Sequence, residues 1–277
     1  MNQRARRFLL IGLIVVSAAM VIAWTSIDAR DDREWIPEQA RLPESSIRGN
    51  AVHIHNVRDF RYRTRHDFTP KYQDRDYDLN KLVSVWYVLS PFSEGWRGPA
   101  HSFVSFGFSD STFVAISVEA RREPGETYNV LKGLFKRFEI MYVVGNERDL
   151  IGQRAAFGDP VYLYPIKAKP EKMRAMFVAM LERANTLRTN PEFYNTVTNN
   201  CTSNVLAHVN QVAPNTVSAG IKTLLPGYTD EVAHQLGLID TDLDITAARE
   251  RYLVNARAKR FINDSAFSFK IREAVAP

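Results

Sequence analysis

The stretch HSFVSFGF at residues 101–108, the break SDS at 109–111 and the run TFVAISVEAR at 112–121 decide the fold class. Apolar residues alternate with small or polar ones on both sides of the break. That period of two sends successive side chains to opposite faces of a strand, and a short polar connection between two such runs predicts an antiparallel hairpin. A loop centred on Asp110 sets Phe108 opposite Thr112 and His101 opposite Glu119. Directly opposed side chains share a face with Cβ atoms about 5 Å apart, so the Glu119 carboxylate falls within reach of the His101 imidazole. A slip of one residue would send them to opposite faces. His101 also follows the Gly- and Pro-containing loop SPFSEGWRGPA at 90–100, which puts it at a strand end bordering a cleft. The plain alternative for Glu119 is a solvated strand residue beside Arg121 and Arg122.

Outward from the hairpin, residues 51–57 alternate as a strand, and 82–89 (LVSVWYVL) suit a buried strand or a short helix. Residues 128–138 read as a helix, 140–144 and 161–166 as buried strands, and 147–157 as a helical connection. From Pro170 the period changes. Met173, Met176, Phe177, Met180, Leu181 and Leu187 recur at three and four residues, one face of a helix. Val205, Leu206, Val209 and Val212 repeat the pattern, Pro226 and Gly227 break it, and 230–236 and 246–259 resume it. Strands in the middle and helices at the end describe one α+β domain over 51–277, with a helical extension at 213–277.

The chain has 277 residues and a single cysteine, which excludes an internal disulfide, a zinc ribbon and a CxxC motif. Cys201 lies in NPEFYNTVTNNCTSNVLAHV (190–209), after a polar run and at the start of an apolar helical pattern. The first turn of a helix favours an anion through its unpaired N–H groups and dipole, a setting that makes a thiol reactive. An inert buried thiol is the competing reading. His208, seven residues on along the same helix, lies about 10 Å away at 1.5 Å per residue, too far for a dyad. His53 and His55 share one face of a strand, as a metal pair or as plain surface residues; no cofactor and no metal is expected. Cys201, His101 and Glu119 together have the makings of a nucleophile, base and orienting acid.

The N-terminus carries Arg4, Arg6 and Arg7, then the uncharged run FLLIGLIVVSAAMVIAWTSI at 8–27, close to the 20 or so residues that span a bilayer. Asp28, Asp31 and Asp32 follow. Basic residues before the span and acidic ones after predict a cytoplasmic segment 1–7, a single-pass anchor at 8–27 and an exported remainder. A cleaved signal sequence is the alternative, and with no cysteine after the run a lipoprotein anchor is excluded. Residues 28–50, polar with two prolines, read as a tether. Of the net charge of +5, three charges belong to the N-terminal arginines, which argues against nucleic acid as a partner.

The strings AHSFVSFGF, ISVEARREPGETY, GLFKRFEIMYVVGNERDLI, VYLYPI and PEFYNTVTNNCTSNVLAH resemble the N-terminal periplasmic domain of Lnb-type lipoprotein N-acyltransferases over roughly residues 56–208. The resemblance implies a circularly permuted papain-like (NlpC/P60-like) cysteine-enzyme fold, with Cys201 as nucleophile, His101 as base and Glu119 as orienting acid. Family members with the transferase role carry several membrane spans, whereas this chain shows one candidate span, ahead of the domain. The resulting expectation is a bacterial inner-membrane enzyme with a periplasmic domain. It would pass an acyl group from a membrane lipid or lipoprotein, through a thioester, to an amine or water. A cell-wall peptide amidase and an anchored, non-catalytic binding domain are the alternatives. Trp96, Asn200 and Arg121 are candidate substrate contacts, and Arg58, Arg121 and Arg148 could meet an anionic head group.

Overall fold

The computed structural model describes residues 3–93, 98–218, 220, 222 and 225–273. An eight-stranded sheet organises the chain. Its order is β1 (Glu44–Arg48), β2 (Ala51–Arg58), β9 (Glu139–Gly145), β8 (Phe113–Arg121), β7 (Ala100–Phe108), β6 (Leu82–Pro91) and β10 (Tyr162–Pro165), with β5 (Tyr72–Asp78) also paired to β2. Arg61–Tyr62 (β3) and Phe68–Thr69 (β4) form a separate small ribbon. Neighbours are antiparallel except β2 and β9, which meet in parallel at Arg58 and Gly145.

The central hairpin has the register read from the sequence: Phe103 faces Ser117, Val104 faces Ile116 and Gly107 faces Phe113. Each of these pairs is symmetrical about Asp110. Gly107 is required here, since a Cβ would lie 2.4 Å from Ser84 Oγ and 2.6 Å from a ring carbon of Phe113. β7 is buried along its whole length because helices cover both faces of the sheet.

On one face, Val104, Phe106, Phe108, Ile116 and Tyr142 pack against Met173, Phe177, Met180 and Leu181 of α3 (Pro170–Thr189) and Val205 of α4 (Cys201–Val212). The methionine stripe is therefore core. Phe177 alone meets Tyr77, Phe106 and Phe108 edge-on at centroid distances of 6.1, 4.9 and 5.8 Å, and full burial of such a side chain stabilises by about 1.5–3 kcal/mol. On the other face, Phe103, Ala115, Met141 and Val143 meet Leu150, Ile151, Ala155, Val254, Ala258 and Phe267. Small serines of the hairpin are buried there too, satisfied by partners such as Glu147, which accepts from Ser105 at 2.5 Å.

Three expectations change. Residues 128–138 hold only a short 3-10 turn, Lys132–Leu134, because Gly133 packs directly against Thr196 and Lys136 takes a left-handed φ of 48°. Residues 246–259 divide into two helices, Ile245–Tyr252 and Asn255–Phe261. Residues 28–50 are no free tether. They supply β1, and Gln39 is buried, donating to Ala120 O at 3.1 Å and accepting from Arg122 N at 2.8 Å. The apolar N-terminal helix, α1 (Gln3–Thr25), is exposed and meets the length and composition for one membrane crossing.

Candidate functional site

The ladder of β7 and β8 ends at Phe103 and Ser117, and just beyond it His101 Nε2 lies 3.1 Å from Glu119 Oε1. Ser117 stands between them. Its hydroxyl donates to Glu119 Oε1 at 2.7 Å and lies 2.7 Å from His101 Nε2. A hydroxyl has one proton to give. With that proton committed to the carboxylate, Ser117 accepts from Nε2–H, which leaves Nδ1 as the nitrogen for the thiol. Arg154 reaches Glu119 Oε1 at 3.4 Å and lies over the Phe103 ring.

Cys201 is the first residue of α4, as the sequence pattern predicts. Asn200 caps the helix reciprocally: its Oδ1 accepts from Ser203 N–H at 2.9 Å while Ser203 Oγ accepts from Asn200 N–H at 2.8 Å. Such a box satisfies two of the helix's unpaired donors. Cys201 is 5% exposed, its sulfur lies 3.9 Å from Thr202 Oγ1, and it lines the same cleft as His101. One residue further along each element, Ser102 Oγ and Thr202 Oγ1 are 3.0 Å apart, so the histidine strand and the cysteine helix are joined directly beside His101 and Cys201.

Burial pushes the Cys201 thiol up, but the adjacent His101 outweighs it and the net shift is downward. Burial pushes the His101 imidazolium down. The adjacent Glu119 carboxylate more than offsets this despite opposition from Arg154, and the ring is pushed up to about 9. Burial likewise raises the Glu119 carboxyl, and the charge and hydrogen bond of His101 bring it well below the usual carboxylate range. All three shifts favour a thiolate beside an imidazolium. The pair opens into a cleft of about 220 Å³ lined also by Gln39, Phe92, Arg122, Tyr128, Arg154 and Tyr194.

The other candidate contacts lie differently. Asn200 spends its amide on the helix cap and on Thr196 O at 2.6 Å. Arg121 faces away from the cleft, bound to Gln39 O, Ala40 O and Asp31 and stacked 4.2 Å over Trp35; its neighbour Arg122 lines the cleft instead. Arg58 is buried in a bidentate pair with Asp149 at 2.8 and 2.9 Å, and Arg148 borders a separate cavity. Trp96 lies outside the described residues. His208 is buried on α4 and hydrogen-bonds Tyr142 at 2.8 Å, away from the thiol. Sequence reasoning did not single out Ser117, although its position on the His101 face, two residues before Glu119, marks it once the register is known.

His53 and His55 do share a strand face, with Nδ1 atoms 2.6 Å from Asp76 and 2.8 Å from Asp74. Donor atoms of His53, His55 and Asp74 lie within 4.8 Å of one another, a set that could hold a divalent ion. The cluster is on β2 and β5 and shares no residue with the cleft.

No curated protein and no solved structure matches the chain. The family model described as the Lnb N-terminal periplasmic domain matches residues 68–230, more than half of the chain. The match takes in the hairpin, the lining of the cleft apart from Gln39, and α4; it begins twelve residues later than the stretch read from the sequence and runs on into the helix at Thr229–Gln235. The chain therefore belongs to the Lnb N-terminal periplasmic domain family, a periplasmic and lipoprotein-related setting.

Proposed function

We propose that this protein is a membrane-anchored, thiol-dependent acyl-transfer enzyme. The observation that carries the proposal is the juxtaposition of Cys201, at a helix start, with His101 in one cleft, where Ser117 and Glu119 back the imidazole. In the proposed reaction the Cys201 thiolate attacks an ester or amide carbonyl. The new S–C bond forms as the C–O or C–N bond breaks, and His101 gives its proton to the departing oxygen or nitrogen. The positive end of α4 stabilises the oxyanion. An incoming amine or water then attacks the thioester, loses its proton to His101 and returns the thiol. Glu119 and Ser117 hold the ring in the tautomer that presents Nδ1 to sulfur. A cysteine on a helix start packed on a histidine strand that precedes it in sequence supports a permuted papain-like arrangement.

A fatty acyl group is favoured by a second cavity, about 320 Å³, which lies beside the site. It is lined by Val104, Met173, Met176, Val205, Leu206 and Val209, and it reaches Ser102 and Thr202, the neighbours of His101 and Cys201. Lys167, Lys169 and Lys172 also border it, cations suited to an anionic head group. Polar Gln39, Arg122 and Arg154 in the cleft itself favour a peptide amide, so cell-wall peptide hydrolysis is the second reading.

Intact mass of the full-length protein after incubation with phospholipid or diacyl lipopeptide tests the proposal. It expects an acyl adduct that Cys201→Ala abolishes. Release of cell-wall peptides with no adduct would transfer the assignment to the second reading, and neither product at any pH would refute both.

A further inference from the structure

The last turn of α1 does not stop in open solvent. Lys136 Nζ donates to the backbone carbonyls of Trp24 and Ile27, each at 2.9 Å, and the Trp24 ring meets Phe135 edge-on at 6.2 Å. A cation on the unpaired carbonyls of a helix C-terminus is favoured by both hydrogen bonding and the dipole. The left-handed backbone at Lys136, φ 48°, is uncommon and strained for a residue with a side chain. That strain occurs at the residue that joins the helix to the domain.

Around this junction the domain surface is apolar where a water-facing loop would be polar. Leu131 and Phe135 are 65% and 63% exposed, Val197 50% and Val130 43%. The two segments form one surface, because Thr196 donates from its hydroxyl to Val130 O at 2.8 Å and from its backbone to Gly133 O at 3.1 Å. Exposed Lys132 adds a cation beside the leucine. Clustered apolar side chains with lysines at the rim have the composition of an interfacial membrane contact, the apolar groups entering the acyl boundary and the ammonium groups staying at the head groups. The same surface adjoins the cleft, since Tyr128 and Tyr194, which lie two residues before Val130 and three before Val197, line the cleft that holds Cys201.

We infer that the loop over residues 130–136, together with Val197, rests on the lipid bilayer crossed by α1, and that this contact sets the mouth of the Cys201 cleft at the membrane surface. The occupant is a bilayer rather than a second protein because α1, the chain's one candidate span among the described residues, ends on this patch. A domain held by a single helix would otherwise swivel; the patch gives it a second point of contact and one orientation. The inference gives the acyl-transfer reading its substrate source, lipid presented from the plane of the membrane, but it rests on the anchor and the patch alone.

Nitroxide labels on the full-length protein in liposomes test it. On a Cys201→Ser background, Leu131→Cys and Phe135→Cys are compared with Val83→Cys, an exposed apolar position at the far end of β6 from the cleft. Labels at 131 and 135 are expected to be at least fivefold less accessible than that at 83 to a water-soluble nickel reagent, and more accessible to oxygen. Labels as exposed to nickel as position 83 would overturn the inference, and so would labels shielded from both reagents, the mark of a protein contact. Neither measurement needs a catalytic thiol, so the result stands whether or not Cys201 carries an acyl group.

Discussion

Replacing Glu119 by Gln keeps the shape of the side chain and removes its charge. In the folded protein His101 titrates at about 9 rather than at 6.5, and at about 1.4 kcal/mol per pH unit that gap is about 3 kcal/mol of preference for the imidazolium. Burial and Arg154 both oppose the charged ring, and Glu119 is the largest favourable influence on it. Without the carboxylate, the imidazolium that stabilises the thiolate is withdrawn. At about 1.4 kcal/mol per factor of ten, the thiolate population at neutral pH is expected to fall by up to about 100-fold. The assay is the rate of Cys201 alkylation by iodoacetamide from pH 4 to 10, followed by intact mass. The rise of rate with pH should move to higher pH in Glu119→Gln. Stability supplies an independent sign. A raised histidine pKa stabilises fully below 6.5, and the contribution is lost as pH rises through about 9, so the stability difference between wild type and variant should shrink across that window. Alkylation profiles that overlay would refute the ion-pair account of the site.

Ser117→Ala leaves the His101–Glu119 contact in place, so its alkylation profile should stay near that of wild type while turnover falls about tenfold through loss of the fixed tautomer; a shift as large as that of Glu119→Gln would show that the hydroxyl carries the electrostatics. Asn200→Ala removes the reciprocal cap of α4 and should cost about 1 kcal/mol in urea denaturation, with a slower thiol at neutral pH. Asp149→Asn strands the buried Arg58 guanidinium and should destabilise the domain by about 3 kcal/mol, read as a lower urea midpoint with an unchanged slope. Phe177→Ala empties the space among Tyr77, Phe106 and Phe108 and should cost about 3–5 kcal/mol, without altering Cys201 alkylation in protein that remains folded.

The parts of this molecule that were legible in its sequence are those set by local periodicity. A period of two with a symmetrical polar break placed His101 opposite Glu119, because hairpin register follows from turn length. A polar run before an apolar helical repeat placed Cys201 at a helix start. What was not legible depends on contacts between distant segments. Residues 128–138 have helical spacing, yet Gly133 is pressed against Thr196 from another part of the chain, and no local pattern reports that. Residues 28–50 look like a linker by composition, but Gln39 and β1 are held by hydrogen bonds to β8 and β2. Arg121 is a surface cation by sequence, and only the folded N-terminal segment provides the carbonyls and the Trp35 ring that occupy it. Ser117 was missed for a different reason: a small polar residue in an alternating strand gives no sign of its chemistry until its neighbours are known.

The hydrogen bond between Ser102 and Thr202 joins residues one hundred positions apart, and this has a consequence for timing. A chain threaded across a membrane from its N-terminus delivers the histidine hairpin long before the cysteine helix. Until α4 docks, the thiol has neither its imidazolium nor its cover, and it emerges into a compartment that oxidises cysteines. No second cysteine in the chain can trap it. Cys201 therefore gains its cover and its imidazole neighbour only as this long-range contact closes.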